Sequence, residues 1–246
     1  MINASSSREQ PSSIADNPAI CGDWPDLALV SSDQHVICVH RHRISCTSHN
    51  AFAGLLADSK ASAVFLPEPS SVLEVIVAVL YDVPAVSCVP SLETTEAALA
   101  ALTKYGIPPH LHAFPGKLLY QLLLLHAPYR PIEAYALAGR YRLECAAVAI
   151  SGHLLAYDTS QLSDDLAVKM STVYFRRLFD LHHDRLSALK SIVFRPPAEH
   201  EPTPQCGEQS GSRARLKEGW AFAVAQLAWD KMPSESFSLA AGTTGA

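Results

Sequence analysis

The feature that most restricts the fold of this chain is an apolar run at residues 72–81. Only Glu74 interrupts it, so a helix formed here would be hydrophobic on nearly every side. Ser71 and Glu74 stand at the spacing of a capping box, which predicts a helix that begins at about Ser71 and ends near Tyr81. Because such a helix has no face for water, we predict that it lies at the centre of a domain.

Three short strands are predicted before this helix. Apolar and β-branched residues recur at 27–30 and at 36–39, and residues 31–34 between them favour a turn, so the pair predicts a hairpin. Residues 63–66 predict a third strand, which ends at Pro67.

The rest of the chain is predicted to be helical. Ser48 is a candidate cap for a helix at 48–56, in which three apolar residues share one face: Phe52, Leu55 and Leu56. Ser91 is a candidate cap for a later helix. Beyond residue 110 no strand is indicated, and helices are predicted at 117–126, 131–141, 143–157, 163–170, 171–194 and 214–231.

We therefore predict an α+β fold, with a short β-sheet capped by helices, followed by an all-helical extension. The predicted segments are a disordered leader (1–22), a first domain (23–112), a helical extension (113–195), a proline-rich linker (196–213), a C-terminal helix (214–231) and a loose tail (232–246).

Composition narrows the range of functions. Hydrophobic residues make up 48% of the chain, which is ordinary for a globular protein, and the net charge of −5 predicts no direct binding of nucleic acid. The six cysteines are scattered without a C-x-x-C pair, which is typical of free thiols in a reducing compartment. With no signal-peptide or membrane-spanning pattern, we expect a cytoplasmic or nuclear protein without a membrane partner.

No motif for catalysis stands out. The sequence has no glycine-rich phosphate loop, no nucleophile elbow and no H-E-x-x-H, so we predict neither an enzyme nor a bound cofactor. One alternative is a metal- or thiol-dependent sensor, because zinc-ligand residue types cluster in one stretch. In an extended strand three of them would share a face, although histidines at the end of a buried strand also explain the pattern. The cluster is His35, Cys38, His40, His42, Cys46 and His49.

The order of motifs resembles a BTB (POZ) domain. Residues 26–30, a turn, and residues 36–41 with the pair His40-Arg41 at their end resemble the family's opening strands, and Ser48-x-x-x-Phe52 resembles the helical hairpin that follows. Residues 126–138, 174–182 and 219–230 resemble the helical, BACK-like extension of one branch of fungal BTB proteins.

This resemblance implies a non-catalytic interaction scaffold or adaptor that forms homodimers or docks other proteins. Asp26 and Arg41 match the charged pocket of BTB dimers, and His40 matches a structural histidine of the family. Leu56-Ala57-Asp58 stands where some members carry a motif that helps them bind a cullin ubiquitin-ligase scaffold. Many dimeric members swap an additional N-terminal helix and strand, which the polar leader does not resemble.

Overall fold

The computed structural model describes residues 24–57, 61–83, 89–195 and 210–230, and in the last range the side chains of residues 215–226. The predicted leader, residues 196–209 of the predicted linker, and the predicted tail lie outside the described residues. The strands and helices are β1 (Leu27–Val30), β2 (Val36–Val39), α1 (Arg41–Thr47), β3 (Ala63–Phe65), α2 (Ser70–Leu80), α3 (Leu92–Lys104), α4 (Leu118–His126), α5 (Pro131–Arg140), α6 (Glu144–Ser151), α7 (Asp164–Lys169), α8 (Thr172–Val193) and α9 (Ser210–Asp230).

The chain is an α+β protein with a three-stranded sheet in the order β2-β1-β3. β1 pairs antiparallel with β2, with Leu27 opposite Val39, and parallel with β3, with Leu29 opposite Val64. These four side chains are buried, because one face of each strand packs against the helices. The predicted hairpin and the predicted third strand are confirmed.

The prediction for helix α2 is confirmed in its burial and wrong in its cap. Every residue of α2 from Val72 to Leu80 except Glu74 is buried. The helix begins at Ser70, so Ser71 lies within its first turn and the capping box does not form. Instead the carboxylate of Asp33, from the hairpin turn, accepts hydrogen bonds from the Ser70 backbone N–H at 3.0 Å and the Ser70 hydroxyl at 2.5 Å. Donation from the Ser31 and Ser70 hydroxyls lowers the pKa of Asp33 to about 2.

The helix predicted at 48–56 is also wrong. The Ser48 hydroxyl does accept a hydrogen bond from the Phe52 backbone N–H at 2.8 Å. However, the four residues 51–54 all have positive φ, between 50° and 80°, and form a left-handed turn. Such backbone costs about 1–2 kcal/mol for each non-glycine residue. The turn directs the buried Phe52 ring onto that of Tyr105, with the ring centroids 4.2 Å apart, so tertiary packing overrides the local helical pattern.

The second half of the chain follows the predicted helices closely. Pro131 is the first residue of α5, and the Ser163 hydroxyl caps α7 by accepting a hydrogen bond from the Leu166 N–H at 3.4 Å. The helix predicted at 143–157 is shorter than expected: α6 ends at Ser151 and a 3-10 turn follows. α9 begins four residues before the predicted position, so residues 210–213 are helical.

The chain divides into two compact units, Met1–Phe179 and Asp180–Ala246. In the first unit, ion pairs join α3 to the later helices. The Glu96 carboxylate of α3 lies 3.3 Å from the guanidinium of Arg140 in α5 and 2.5 Å from the ammonium of Lys169 in α7. The predicted first domain and the predicted extension up to Phe179 therefore belong to one compact unit. The predicted boundary between 195 and 196 stays a prediction.

Candidate interaction surfaces

The structure brings Asp26 and Arg41 together at one end of the sheet. Asp26 directly precedes β1, Arg41 is the first residue of α1, and the pairing of Leu27 with Val39 places them side by side. The Asp26 carboxylate accepts a hydrogen bond from the Arg41 backbone N–H at 2.7 Å. This N–H is one of those at a helix start that lack a partner within the helix, and a carboxylate there is favoured by the helix dipole. Asp26 therefore holds the N-terminus of α1.

The Arg41 side chain makes a separate contact. Its guanidinium donates a hydrogen bond to the backbone carbonyl of Ala61, just before β3. Arg41 is half-buried and Asp26 is exposed. The Asp26 carboxylate and the Arg41 side chain therefore both belong to the same end of the sheet. Their role as a charged pocket stays a prediction.

A large aromatic side chain lies beside these charges. Trp24, two residues before Asp26, is 87% exposed. Exposing an indole to water is unfavourable, and tryptophan and arginine are enriched at the energetic centres of protein interfaces. We call Trp24, Asp26 and Arg41 the sheet-end patch. The sequence did not predict this exposure, because nothing in the local pattern shows on which side of the fold an isolated aromatic residue lies.

His40 fixes the turn from β2 into α1. It is 3% exposed, its backbone N–H donates to the Tyr81 hydroxyl at 2.7 Å, and its Nδ1 lies 2.6 Å from the same oxygen. One tyrosine hydroxyl therefore contacts both the backbone and the imidazole ring of His40. Tyr81 ends the central helix, so this contact ties the position of Arg41 to the core.

The histidine and cysteine cluster does not form a single site. β2 ends at Val39 and α1 begins at Arg41, so the strand alternation expected to align Cys38, His40 and His42 stops before His42. Cys46 is exposed at the end of α1. Within the described ranges, no group of three or more His, Cys, Asp or Glu side chains comes close enough to hold a metal ion. His35 and His49 are exposed at other turns of the chain.

The proposed cullin motif is only partly described. Leu56 is 9% exposed and belongs to the core, together with Phe52 from the same turn. Its side chain therefore offers little surface to a partner. Asp58 lies outside the described residues, so its role in binding a cullin stays a prediction.

Other large apolar side chains are also exposed on the first unit. Phe65, on the edge strand β3, is 71% exposed, and Tyr129, between α4 and α5, is 85% exposed. Tyr129 stands next to Arg130, which pairs with Glu93 and holds the pKa of that carboxyl at about 2. Single exposed apolar residues are common in soluble proteins, so exposure by itself does not distinguish Tyr129 from Trp24. Trp24 differs in that the charged residues near it in sequence, Asp26 and Arg41, are the two that were predicted to form an interaction pocket.

No protein-family model and no curated protein matches this chain. In the part of the chain that the structure describes, no helix combines the length and the apolar character needed to cross a bilayer.

Proposed function

We propose that this chain is a non-catalytic interaction scaffold or adaptor of the BTB type, which associates with protein partners through the sheet-end patch. The partner is a second copy of the chain or another protein, such as a ubiquitin-ligase scaffold. The predicted first domain, residues 23–112, would be the BTB domain, and the helices after it would be its extension. The observation that carries the proposal is Trp24, which is 87% exposed, beside Asp26 and Arg41.

The arrangement of the first unit supports the BTB part of this proposal. A hairpin leads directly into a helix, the next strand pairs in parallel with the first, and an apolar helix packs under the sheet. This matches the short sheet capped by helices that the resemblance implies. His40 also makes the kind of structural contact that the resemblance implies for it.

The mechanism is association without covalent chemistry. Burying an indole contributes apolar area of about 150–250 Å², and interface tryptophans commonly account for about 2 kcal/mol or more when they are truncated. The Asp26 carboxylate and the Arg41 guanidinium would form the charged rim of this contact, which sets orientation more than affinity. Removing Trp24 should therefore weaken association about 30-fold.

The test compares the full chain with Trp24→Ala, Asp26→Asn and Arg41→Gln. Tyr129→Ala is the matched control, since it also removes a highly exposed aromatic ring. Asp26→Asn keeps an oxygen that can accept the Arg41 N–H, so it changes charge with little change in fold. Sedimentation velocity gives the mass of the purified chain, and co-purification from the native cell gives its partners.

We expect each sheet-end variant to lower the sedimenting mass or lose co-purifying partners, while Tyr129→Ala keeps both. Circular dichroism should show that the variants remain folded. If all three variants keep the wild-type mass and the wild-type partners, the proposal is wrong.

A further inference from the structure

The outer edge of β3 has no partner strand among the described residues, because the sheet has the order β2-β1-β3. On the inner side of β3, the Ser62 carbonyl and the Leu66 N–H bond to β1 at 2.9 Å and 2.8 Å. Bonding directions alternate along a strand, so Ala63 and Phe65 direct their N–H and C=O groups outward. This edge therefore offers donors and acceptors with which another extended backbone can pair.

The side chains at this edge are apolar. Ala63 and Phe65 lie on the outer face of the sheet and are exposed, Phe65 at 71%, whereas Val64 between them is buried. Phe65 stands opposite Val30, and Val30 stands opposite Val36, so an apolar row crosses all three strands. Edge strands of soluble proteins commonly carry a charged residue or a proline that prevents further pairing. β3 carries neither at 63–65, which leaves its edge suited to pairing.

β3 is complementary to a second copy of itself. In an antiparallel pair centred on Val64, Ala63 of each strand lies opposite Phe65 of the other. These are the residues whose backbone groups face outward, so each N–H meets a C=O. The small Ala63 leaves room for the facing phenyl ring, and the two Phe65 rings become diagonal neighbours within contact distance. A two-fold axis through this pair gives a closed dimer.

We propose that two copies of this chain associate through the outer edges of their β3 strands, in a continuous sheet of the order β2-β1-β3-β3-β1-β2. The occupant is a second copy because one register pairs the outward backbone groups and also matches a small side chain to a large one at both ends. The inference goes beyond the proposed function, since it uses no residue of the sheet-end patch.

The area of this contact sets its strength. Burying two phenyl rings removes about 300–500 Å² from water. With two short strand edges added, the total stays below about 1,200 Å², the lower end of standard interfaces. We therefore expect a weak, concentration-dependent dimer, with a dissociation constant of about 10–100 µM.

The test is sedimentation equilibrium of the full chain over a range of concentrations. Phe65→Lys places a charge on the edge. Ala63→Pro removes an outward N–H and keeps the bonds to β1, which come from Ser62 and Leu66. Val36→Lys is the matched control, because Val36 is 51% exposed on the same face but lies on the opposite edge strand, β2. Each variant is also made with Trp24→Ala, which removes association through the sheet-end patch.

In the Trp24→Ala background we expect Phe65→Lys and Ala63→Pro each to weaken the dimer about tenfold or more, while Val36→Lys leaves it unchanged. Circular dichroism and melting should show that all variants are folded, since the substituted side chains are exposed. Hydrogen exchange gives a second readout. The amides of residues 63 and 65 should exchange more slowly at high protein concentration, and Phe65→Lys should abolish this dependence.

Three results would overturn the inference. The first is a chain that stays monomeric at about 500 µM with Trp24→Ala, which would leave the proposed function intact. The second is a dimer that both Phe65→Lys and Ala63→Pro retain, or that Val36→Lys weakens equally. The third is a monomeric chain that pairs through Phe65 only with a different protein, because the occupant would then not be a second copy.

Discussion

Replacing Tyr81 with Phe tests how the core positions the sheet-end patch. The substitution removes one oxygen atom, which lies 2.7 Å from the His40 backbone nitrogen and 2.6 Å from His40 Nδ1. Both residues are buried, at 3% and 5% exposure, so water does not readily replace the lost hydroxyl. Each buried polar group that loses its partner costs about 1–3 kcal/mol, so we expect the free energy of unfolding to fall by about 2–4 kcal/mol.

Tyr135→Phe provides the matched control. Tyr135 is also buried, and its hydroxyl donates a single hydrogen bond, at 3.2 Å, to the Tyr174 carbonyl. Removing this hydroxyl should cost about 1 kcal/mol. Urea unfolding, followed by circular dichroism, gives both values, and the comparison is valid where the slopes of the two transitions agree. If Tyr81→Phe destabilises the chain no more than Tyr135→Phe, then the His40 contact does not have the structural role assigned to it.

Three further predictions concern the fold. Gly106→Ala should lower the melting temperature, with a cost of about 2 kcal/mol or more, because Gly106 has φ of +70° and an added Cβ would lie 2.5 Å from the Asn50 side chain. Gly116→Ala should cost less than Gly106→Ala, because Gly116 also has positive φ but an added Cβ there would meet open space. Ile76→Ala, at a fully buried position of α2, should cost about 2–4 kcal/mol in urea unfolding. Because the pKa of Asp33 is lowered from 3.8 to about 2, its ionised carboxylate stabilises the fold above about pH 4. This stabilisation is lost as the pH falls through 2. Asp33→Asn should therefore melt earlier than the wild type at pH 7, and the difference should shrink as the pH falls from 4 to 2; an equally large difference at pH 7 and at pH 2 would contradict this.

Much of the fold could be predicted because its signals are local. The alternation at 27–30 and 36–39, the serine caps at Ser91 and Ser163, and the proline at the start of α5 act within a few residues of themselves. The apolar character of α2 is equally local, since a helix without a polar face must be buried wherever it lies.

The errors came from contacts that are distant in sequence. The cap of α2 is Asp33, 37 residues before Ser70, so the nearby Ser71 and Glu74 gave a plausible but wrong cap. Residues 48–56 have apolar residues at helical spacing, yet the chain forms a left-handed turn there. That turn places Phe52 against Tyr105, a residue far away in the sequence.

The candidate sites show the same limit. Motif order identified Asp26 and Arg41, and the hairpin brings them together. The exposure of Trp24 depends on which elements cover it, and no pattern of neighbouring residues shows that.

The most direct test of the account is photo-crosslinking from the sheet-end patch. An aromatic photoreactive amino acid, which keeps a large ring at this position, replaces Trp24 in the full chain, and a second variant of the chain carries it in place of Tyr129. The account predicts that position 24 forms a discrete crosslinked species, with a second copy or with a partner, and that position 129 does not. Crosslinks that are absent at position 24, or equally strong at position 129, would contradict the claim that this protein associates through the end of its sheet.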